Sequence, residues 1–285
     1  MIKVIHNIED MTLWSNNADK SLGLVPTMGA LHQGHISLVR QARSENATVV
    51  ASIFVNPTQF ADGEDLDTYP RDLGVDLDVL ETEGVDAVFL PNTAEIYPGG
   101  YDTWIDVGNI ADKLEGRLRK GHFRGVATIV TKLFCVVRPD TGYFGQKDGQ
   151  QAVIIKQIVR DLNLGVTVRV CPTIREHNGL ALSSRNVYLN EKEKLDASII
   201  YTALIKAEDM WRHGEIESQR LKSVVENTLR SCQSITAIDY VSVADTKTLN
   251  EVERVAGTVM ISVAARIGSV RLIDNLILDE SKATG

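Results

Sequence analysis

Short apolar, β-branched runs alternate with amphipathic stretches through the first 170 residues of the chain. Apolar runs of strand length lie at 22–26, 48–55, 85–90, 141–145 and 166–170. Apolar residues at helical spacing predict helices over 34–44, 73–83, 125–137 and 150–161. Strands that alternate with helices build a parallel sheet covered on both faces. This pattern therefore predicts an α/β fold with a Rossmann-like, doubly wound parallel sheet.

After Pro172 the order of elements changes to helices followed by strands. Charged amphipathic stretches predict helices over 189–208 and 218–231, and apolar runs predict strands over 238–243, 258–264 and 270–275. Such an order indicates a smaller α+β domain. We place the boundary so that residues 1–173 form the larger domain and residues 174–285 form a smaller C-terminal lid domain.

Composition narrows the class of protein. The chain of 285 residues is 44% hydrophobic and 24% charged, which is ordinary for a globular protein. Its formal net charge of −8 argues against nucleic acid or an anionic membrane as partner. Three widely spaced cysteines, no signal peptide and no apolar run of about 20 residues favour a cytoplasmic location.

The stretch 62–86 contains ten acidic residues and one arginine. A charge run of this kind is usually a solvated loop or helix face. We therefore assign the run to solvent, and keep only Asp76 as a candidate ligand for Mg²⁺.

The strongest chemical signal is the stretch Pro26-Thr-Met-Gly-Ala-Leu-His-Gln-Gly-His35, which runs from a strand through a glycine turn into a helix. Backbone amides at a helix N-terminus bind anions, and the helix dipole adds to this. Histidines 32 and 35 at that end can donate to one phosphate chain and stabilise the charge that develops as pyrophosphate leaves. A lone histidine would more often cap or pack against the helix. A zinc site is disfavoured, because no third ligand stands at recognisable spacing.

His32-Gln-Gly-His35 resembles the His-x-Gly-His signature of the nucleotidylyl transferase superfamily. The longer stretch 26–35 is similar to that of the pantothenate synthetase (pantoate–β-alanine ligase) family. Four further segments agree with this family in the same order: Phe54-Val-Asn-Pro-Thr-Gln-Phe60, Tyr69-Pro-Arg71, Gly145-Gln-Lys-Asp148 and Leu182-Ser-Ser-Arg-Asn186. The resemblance spans nearly the whole chain apart from its last residues.

The resemblance implies an AMP-forming ligase of pantothenate and coenzyme A biosynthesis. Pantoate and ATP would give pantoyl-adenylate and pyrophosphate, and β-alanine would then attack the activated carbonyl to give pantothenate and AMP. It also implies Mg²⁺ as cofactor, with Asp76 as the carboxylate that approaches it, and a homodimer formed through the larger domain. One carboxylate is enough, because Mg²⁺ keeps several waters and binds phosphate oxygens.

The resemblance also implies the site residues. His32, His35 and Lys147 would be catalytic, and Met28, Gln59 and Gln151 would bind pantoate. The residues expected to bind ATP are Pro26, Thr27, Met28, His35, Gly145, Lys147, Asp148, Ile174, Leu182, Ser183, Ser184 and Arg185. A neutral amide such as Gln59 can hydrogen-bond pantoate without adding a competing charge. The lysine suits the charge built up at phosphorus, and Ser-Ser-Arg at the boundary suits the triphosphate.

For several of these residues the alternatives stay open. Asp148 either orients Lys147 or contacts the nucleotide, or it caps a helix. A lone glutamine or a plain Ser-Ser-Arg turn would ordinarily be solvent-facing, and only the resemblance reverses this. The chain also departs from the family at Lys120 (usually proline), Gln146 (often glutamate) and Gly149 (often aromatic), and Arg119 is either a pantoate contact or a wall residue.

Three other functions compete. Another nucleotidylyl transferase would act on a phosphate-bearing acceptor, but such an acceptor would more naturally meet Arg or Lys than Gln59 and Gln151. A regulatory module that senses ATP would have no need of both histidines, a lysine and a carboxylate. An RNA-binding synthetase fragment is disfavoured by the acidic charge.

Overall fold

The computed structural model describes residues 2–19, 21–61 and 63–282, and the chain divides into two compact units. The first unit comprises Met1–Gly145 and Gln151–Pro172. The second comprises Gln146–Gln150 and Thr173–Gly285. A five-residue piece from the middle of the sequence thus groups with the C-terminal unit, which the sequence patterns did not indicate.

The first unit is built on a six-stranded sheet in the order β1-β4-β3-β2-β5-β6, in which every pair is parallel. The strands are β1 (Lys3–Ile5), β2 (Leu22–Thr27), β3 (Thr48–Ile53), β4 (Ala87–Phe89), β5 (Thr141–Gly145) and β6 (Thr167–Cys171). The strand order reverses at β2, which pairs with β3 on one side and β5 on the other. Ligands of open α/β sheets bind beyond the carboxyl ends of the strands at such a reversal. The predicted α/β class is confirmed.

Helices connect these strands. They are α1 (Ile8–Asn17), α2 (Gln33–Glu45), α3 (Leu73–Thr82), α4 (Thr93–Ile96), α5 (Leu114–Leu118), α6 (His122–Val137) and α7 (Gly149–Asp161). The Asn7 side chain accepts a bond from the amide of Asp10 and so begins α1, and Asp72 begins α3 in the same way through Val75. The sequence patterns missed β1, which has only three residues, and the helix that follows it.

The central strand β3 is buried at all six positions. A strand covered by helices on both faces has no solvent side, so its sequence is apolar throughout rather than alternating. Helix α6 is also largely buried, and it was predicted to begin at 125 but begins at His122. Those three extra residues bring the helix start to the site described below.

The second unit contains α8 (Glu191–Ala197), α9 (Ile199–Arg212) and α10 (Ser218–Arg230), followed by the antiparallel strands β7 (Ile235–Asp245), β8 (Thr258–Ile267) and β9 (Val270–Asp279). This is the smaller α+β arrangement that the sequence predicted. The helix predicted over 189–208 is instead two helices that meet at Ser198, whose hydroxyl donates to the carbonyl of Leu195 at 2.7 Å. A serine hydroxyl bonded to its own helix competes with the regular ladder.

None of the helices formed by the described residues has the length and apolar character needed to cross a membrane.

Candidate active site

The loop from β2 to α2 contains two residues in left-handed backbone conformations, Gly29 at φ +84° and Ala30 at φ +51°. This turn points successive amides at a single acceptor, the carboxylate of Asp76. The amide of Ala30 donates to Oδ2 at 2.9 Å and that of Leu31 donates to Oδ1 at 2.8 Å. Adjacent amides that converge on an anion form a backbone nest. Asp76 thus holds the loop that leads directly into the two histidines.

Asp76 is buried at the start of α3. Burial raises the pKa of its carboxyl above the ordinary value, while the amide bonds from Leu31 and Ala30 act in the opposite direction. A Cβ on Gly29 would lie 3.0 Å from Oδ2 of Asp76, so this loop position has little room for a side chain. The carboxylate is therefore part of the loop's structure, whatever else it binds.

His32 and His35 lie at the N-terminus of α2, with ring centroids 4.1 Å apart. Nδ1 of His32 accepts a bond from the amide of Gly34 at 3.1 Å, and Nδ1 of His35 accepts one from the amide of His32 at 3.4 Å. Because Nδ1 is an acceptor in both rings, the neutral form of each carries its proton on Nε2. Each histidine is thereby prepared as an Nε2 donor at a helix end that favours anions.

Gln59 ends a 3₁₀ turn, Pro57–Gln59, that follows the neighbouring strand β3. The amide of Asn56 fixes the direction of the Gln59 side chain. Asn56 Nδ2 donates to the carbonyl of Gly125 at 3.2 Å and to Oε1 of Gln59 at 3.1 Å, while its Oδ1 accepts from the hydroxyl of Tyr97 at 2.9 Å. The Gly125 carbonyl can only accept, so the orientation of Asn56 follows from the network.

With Oε1 of Gln59 facing Asn56, its Nε2 lies 3.1 Å from Sδ of Met28. Met28 directly follows β2, so the histidine loop and the glutamine turn meet at the carboxyl edge of two adjacent parallel strands. Gln59 presents an amide donor there rather than an acceptor. The structure thus brings together Met28, Gln59 and the loop that carries both histidines.

Other first-unit residues predicted for the site lie at the same strand ends or just beyond them. Thr27 ends β2, where its hydroxyl donates to the carbonyl of Ser52 at 2.8 Å and accepts from the amide of Gly29 at 3.2 Å. Pro26 precedes it in β2, and Gly145 ends β5. Gln151 occupies the third position of α7 and is partly buried.

Three residues that the sequence did not firmly assign to the site adjoin Gln59. Arg119 forms a bidentate ion pair with Glu64, in which Nε lies 2.6 Å from Oε1 and Nη2 lies 2.7 Å from Oε2. Nη1 of Arg119 lies 3.1 Å from Nε2 of His122. Nδ1 of His122 donates to the backbone carbonyl of Gln59 at 2.7 Å. Glu64 belongs to the acidic run that we assigned to solvent, and that assignment is wrong for this residue.

Helix α6 approaches the Gln59 turn through Gly125. A Cβ at Gly125 would lie 2.4 Å from the carbonyl oxygen of Thr58 and 2.7 Å from the amide nitrogen of Gln59. Only a residue without a side chain permits backbone-to-backbone contact of this kind. The glycine therefore sets the distance between the helix and the turn.

Lys147 and Asp148 belong to the piece 146–150 of the second unit, and Lys147 Nζ lies 3.6 Å from Oδ1 of Asp148. Asn275 of β9 holds this piece: its Nδ2 donates to the carbonyls of Gln146 at 2.9 Å and Lys147 at 3.0 Å. Gln146 Nε2 donates in return to Oδ1 of Asn275 at 2.7 Å. A glutamate at 146 would lack this donor, so the neutral amide suits its partner in this chain.

Gly149, the other departure from the family pattern, closes the same contact. A Cβ there would lie 2.5 Å from Sδ of Met260 in β8. An aromatic side chain at this position would require the side chain of Met260 to move away. The piece that carries Lys147 is therefore packed closely on the sheet of the second unit.

The Ser-Ser-Arg segment also lies in the second unit. Leu182 donates its amide to the carbonyl of Ile174 at 3.0 Å, which brings those two residues side by side. Ser183 precedes the 3₁₀ helix Ser184–Tyr188, and its hydroxyl oxygen accepts from the amide of Arg185 at 3.3 Å. This capped turn holds Ser183, Ser184 and Arg185 in one short loop.

Within the described ranges, no group of three or more His, Cys, Asp or Glu side chains is arranged to hold a metal ion. A metal at this site would have to take most of its ligands from substrate and water.

The sequence of this chain matches a family model described as pantoate-beta-alanine ligase over residues 3–277. A protein of Roseiflexus castenholzii named pantothenate synthetase is 52% identical over 259 residues, which are 91% of this chain and 93% of that protein. One of Acetivibrio thermocellus with the same name is 46% identical over 98% of this chain and 99% of its own length.

Solved structures agree with these matches. A crystal structure of pantothenate synthetase from Thermus thermophilus has a TM-score of 0.91 at 40% identity, and covers 96% of this chain and 99% of that one. The pantoate-beta-alanine ligase of Francisella tularensis, in a complex described as containing beta-gamma ATP and beta-alanine, has a TM-score of 0.79 at 37% identity, with 97% of this chain and 98% of that one covered.

Proposed function

The chain belongs to the pantoate–β-alanine ligase family, and from that premise we propose which of its residues perform each part of the reaction. The protein is a ligase that uses ATP to join pantoate to β-alanine and so makes pantothenate. We propose that it does so through pantoyl-adenylate, with AMP and pyrophosphate as the other products.

The observation that carries the residue assignment is the meeting of two loops at one sheet edge. Nε2 of Gln59 lies 3.1 Å from Sδ of Met28, at the start of the loop that leads into His32 and His35. An acid held by Gln59 and Met28 would therefore lie beside the N-terminus of α2, and a helix N-terminus favours the binding of the phosphates of ATP. Adenylate formation needs this juxtaposition, because the pantoate carboxylate itself attacks the α-phosphorus.

The histidines stabilise the departing pyrophosphate in this proposal. Each has its Nδ1 engaged by a backbone amide, so Nε2 is the donor atom of the neutral ring. Donors whose direction is fixed in advance cost no reorganisation when charge develops, which is the main source of electrostatic catalysis. His35 is assigned to ATP binding as well, together with Pro26, Thr27, Met28 and Gly145.

Gln59 and Gln151 bind pantoate in this proposal. The Asn56 network leaves the amide nitrogen of Gln59 on the side of Met28, and a donor there suits the hydroxyl oxygen and carboxylate of a hydroxy acid. A neutral donor of this type binds an anion without neutralising it, so the carboxylate stays nucleophilic. Positioning the two reactants is then the main task of the first unit.

Further residues proposed to bind ATP belong to the second unit. Lys147, which pairs with Asp148, would stabilise charge on the α- and β-phosphates. Ile174, Leu182, Ser183, Ser184 and Arg185 provide the nucleotide wall, two hydroxyls and a guanidinium. Bidentate arginine and serine hydroxyls are suited to a triphosphate.

Mg²⁺ is proposed as the cofactor, with Asp76 as its one protein carboxylate. Each Asp76 oxygen accepts one backbone amide and keeps a second lone pair. A single carboxylate with phosphate oxygens and water is a donor set that fits Mg²⁺. When bound, the ion neutralises phosphate charge and orients the leaving pyrophosphate.

A homodimer and a cytoplasmic location are proposed on the family resemblance. The three cysteines are free, as expected of thiols in a reducing compartment. Light scattering on the purified protein tests the homodimer, and a monomeric mass would refute it.

The reaction is tested by measuring pyrophosphate release from ATP with and without pantoate, and AMP release after β-alanine is added. We expect pyrophosphate only when pantoate is present. Pyrophosphate release that is independent of pantoate would refute the adenylate step.

The residue roles are tested with His35→Ala and Lys147→Ala. Removing a donor to developing charge costs on the order of 100-fold or more in rate, so both variants should lose adenylate formation by about that factor. Circular dichroism should show an unchanged fold. A variant that loses activity only because it unfolds would point to a packing role instead.

A further inference from the structure

We propose that Glu64, Arg119 and His122 form a positioning chain that fixes the backbone of Gln59 and thereby sets the affinity for the acid substrate. The inference rests on the proposed role of Gln59 in binding pantoate. None of the three residues is assigned to touch the reacting atoms.

The member of the positioning chain nearest to Gln59 is His122, the first residue of α6. The ring of His122 is buried. Its Nδ1 lies 2.7 Å from the carbonyl oxygen of Gln59, and a carbonyl can only accept. Its Nε2 lies 3.1 Å from Nη1 of Arg119, and a guanidinium can only donate. The two contacts together require the neutral ring with its proton on Nδ1. Nδ1 then donates to Gln59 and Nε2 accepts from Arg119.

Glu64 completes the chain by neutralising Arg119. Both carboxylate oxygens bind the guanidinium, at 2.6 Å and 2.7 Å, in the fork geometry that makes such pairs specific. Arg119 and Glu64 side chains are only 18% and 23% exposed, so the pair is shielded from solvent. Arg119 donates from Nε and Nη2 to Glu64 and from Nη1 to His122. Its guanidinium therefore links these two residues rigidly and is not assigned to bind a substrate carboxylate.

The imidazole stays neutral for a physical reason. Burial first, and the charge of Arg119 second, lower the pKa of His122 to about 4, against the opposing effects of its bond to Gln59 and of Glu64 and Glu115. A protonated ring would turn an N–H of Nε2 toward the N–H of Arg119. The hydrogen bonds of the positioning chain are therefore intact at neutral pH.

The hold on Gln59 has consequences for its side chain because the turn is short. Pro57–Gln59 has three residues, and Asn56 binds the side-chain oxygen of Gln59 from the other direction. The two restraints act on different parts of one residue: His122 holds the backbone carbonyl and Asn56 directs the amide. Release of the carbonyl would let the Nε2 donor of Gln59 move, which weakens binding of the acid without touching the nucleotide contacts.

The test compares two substitutions at one position. In His122→Asn, the side-chain nitrogen stands as many bonds from the backbone as Nδ1, so the donor to Gln59 is kept. In His122→Gln, the nitrogen stands where Nε2 was, so the donor to Gln59 is lost. Glu64→Gln weakens the contact with Arg119 at the other end of the positioning chain, and the side chain at position 64 keeps its size. KM for pantoate, KM for ATP and kcat are measured for each full-length variant.

We expect His122→Gln to raise KM for pantoate by about tenfold, the effect of one hydrogen bond, and Glu64→Gln to raise it by about fivefold. His122→Asn should stay within about threefold of the wild type, and KM for ATP and kcat should stay within about twofold in all three. This split separates positioning from general structural support, which would raise both KM values and lower kcat together, or lower the melting temperature alone.

Gln59→Leu separates failure of this inference from failure of the proposed function. If Gln59→Leu raises KM for pantoate while His122→Gln and Glu64→Gln leave it unchanged, the positioning chain is overturned. If Gln59→Leu itself leaves KM for pantoate unchanged, the assignment of Gln59 fails. Should circular dichroism show that His122→Gln does not fold, Glu64→Gln decides alone, and an equal rise in both KM values overturns the inference.

Discussion

Replacement of Gly125 by alanine tests the close approach of helix α6 to the Gln59 turn. The added Cβ would lie 2.4 Å from the carbonyl oxygen of Thr58, whereas real Cβ atoms essentially never come closer than 3.0 Å. The helix and the turn must therefore separate by about 0.6 Å. Both contacting groups are backbone atoms, so no flexible side chain can absorb the movement.

Two opposing free energies decide the sign of the effect. Alanine is a better helix former than glycine by about 1 kcal/mol. Overpacking in a well-packed region costs about 1–3 kcal/mol. We expect the clash to prevail, so that the first unit loses up to about 2 kcal/mol of unfolding free energy and KM for pantoate rises as Gln59 is displaced.

Gly74 provides the matched control. It lies in α3, is exposed, and a Cβ there would have its nearest neighbour at 3.9 Å. Gly74→Ala makes the same chemical change in open space, so it should be neutral or stabilise by up to about 1 kcal/mol. The difference between the two variants cancels the helix preference and reports the clash alone, about 1–3 kcal/mol.

The assay is urea unfolding followed by tryptophan fluorescence in a Trp211→Phe background. The remaining Trp14 and Trp104 both belong to the first unit, so the signal reports that unit. A Gly125→Ala variant as stable as Gly74→Ala, with an unchanged KM for pantoate, would refute the close approach and its link to Gln59.

Two further predictions follow from the titratable groups. The pKa of His122 falls from 6.5 to about 4 on folding, so the unfolded chain takes up this proton first as pH drops. Between pH 7 and pH 4.5 the protein should therefore lose about 2.5 kcal/mol of stability that His122→Gln does not lose. Unfolding free energies at pH 7 and 4.5 measure this, and equal losses in both proteins would contradict it. Asp76→Asn should cost about 1.5–3 kcal/mol without any metal present, because a carboxylate that accepts two amides is lost. The exposed Asp78→Asn is its control, and equal stability of the two variants would argue that Asp76 does not hold the loop.

Local patterns were enough to predict most of the fold. The apolar run of β3 and the helical spacing of α2 identify their elements because burial on two faces and burial on one stripe leave different periods. The same reasoning missed the three-residue strand β1, and it predicted one helix where α8 and α9 meet at Ser198. The pattern of charges was also insufficient at Glu64, since it cannot say which arginine lies nearby.

In the candidate site, too, some residues could be predicted from the sequence and others could not. His32, His35, Gln59 and Lys147 stand in short motifs whose order along the chain indicated them. Glu64 and Arg119 are 55 residues apart, and His122 reaches the backbone of a residue 63 positions away. The signal that could have suggested them was the segment around Arg119, a residue that we interpreted as either a pantoate contact or a wall residue.

The amino-acid sequence by itself determined the α/β class, the strands that lead into the candidate site and the spacing of its two histidines, because each depends on spacing along the chain. Only the tertiary structure decided that Asp76 holds that loop, that Asn56 directs the amide nitrogen of Gln59 toward Met28, and that burial lowers the pKa of His122. Those properties depend on burial and on partners brought together from distant parts of the chain. Contacts of this kind arise when the sheet and its helices pack, and no local pattern contains them.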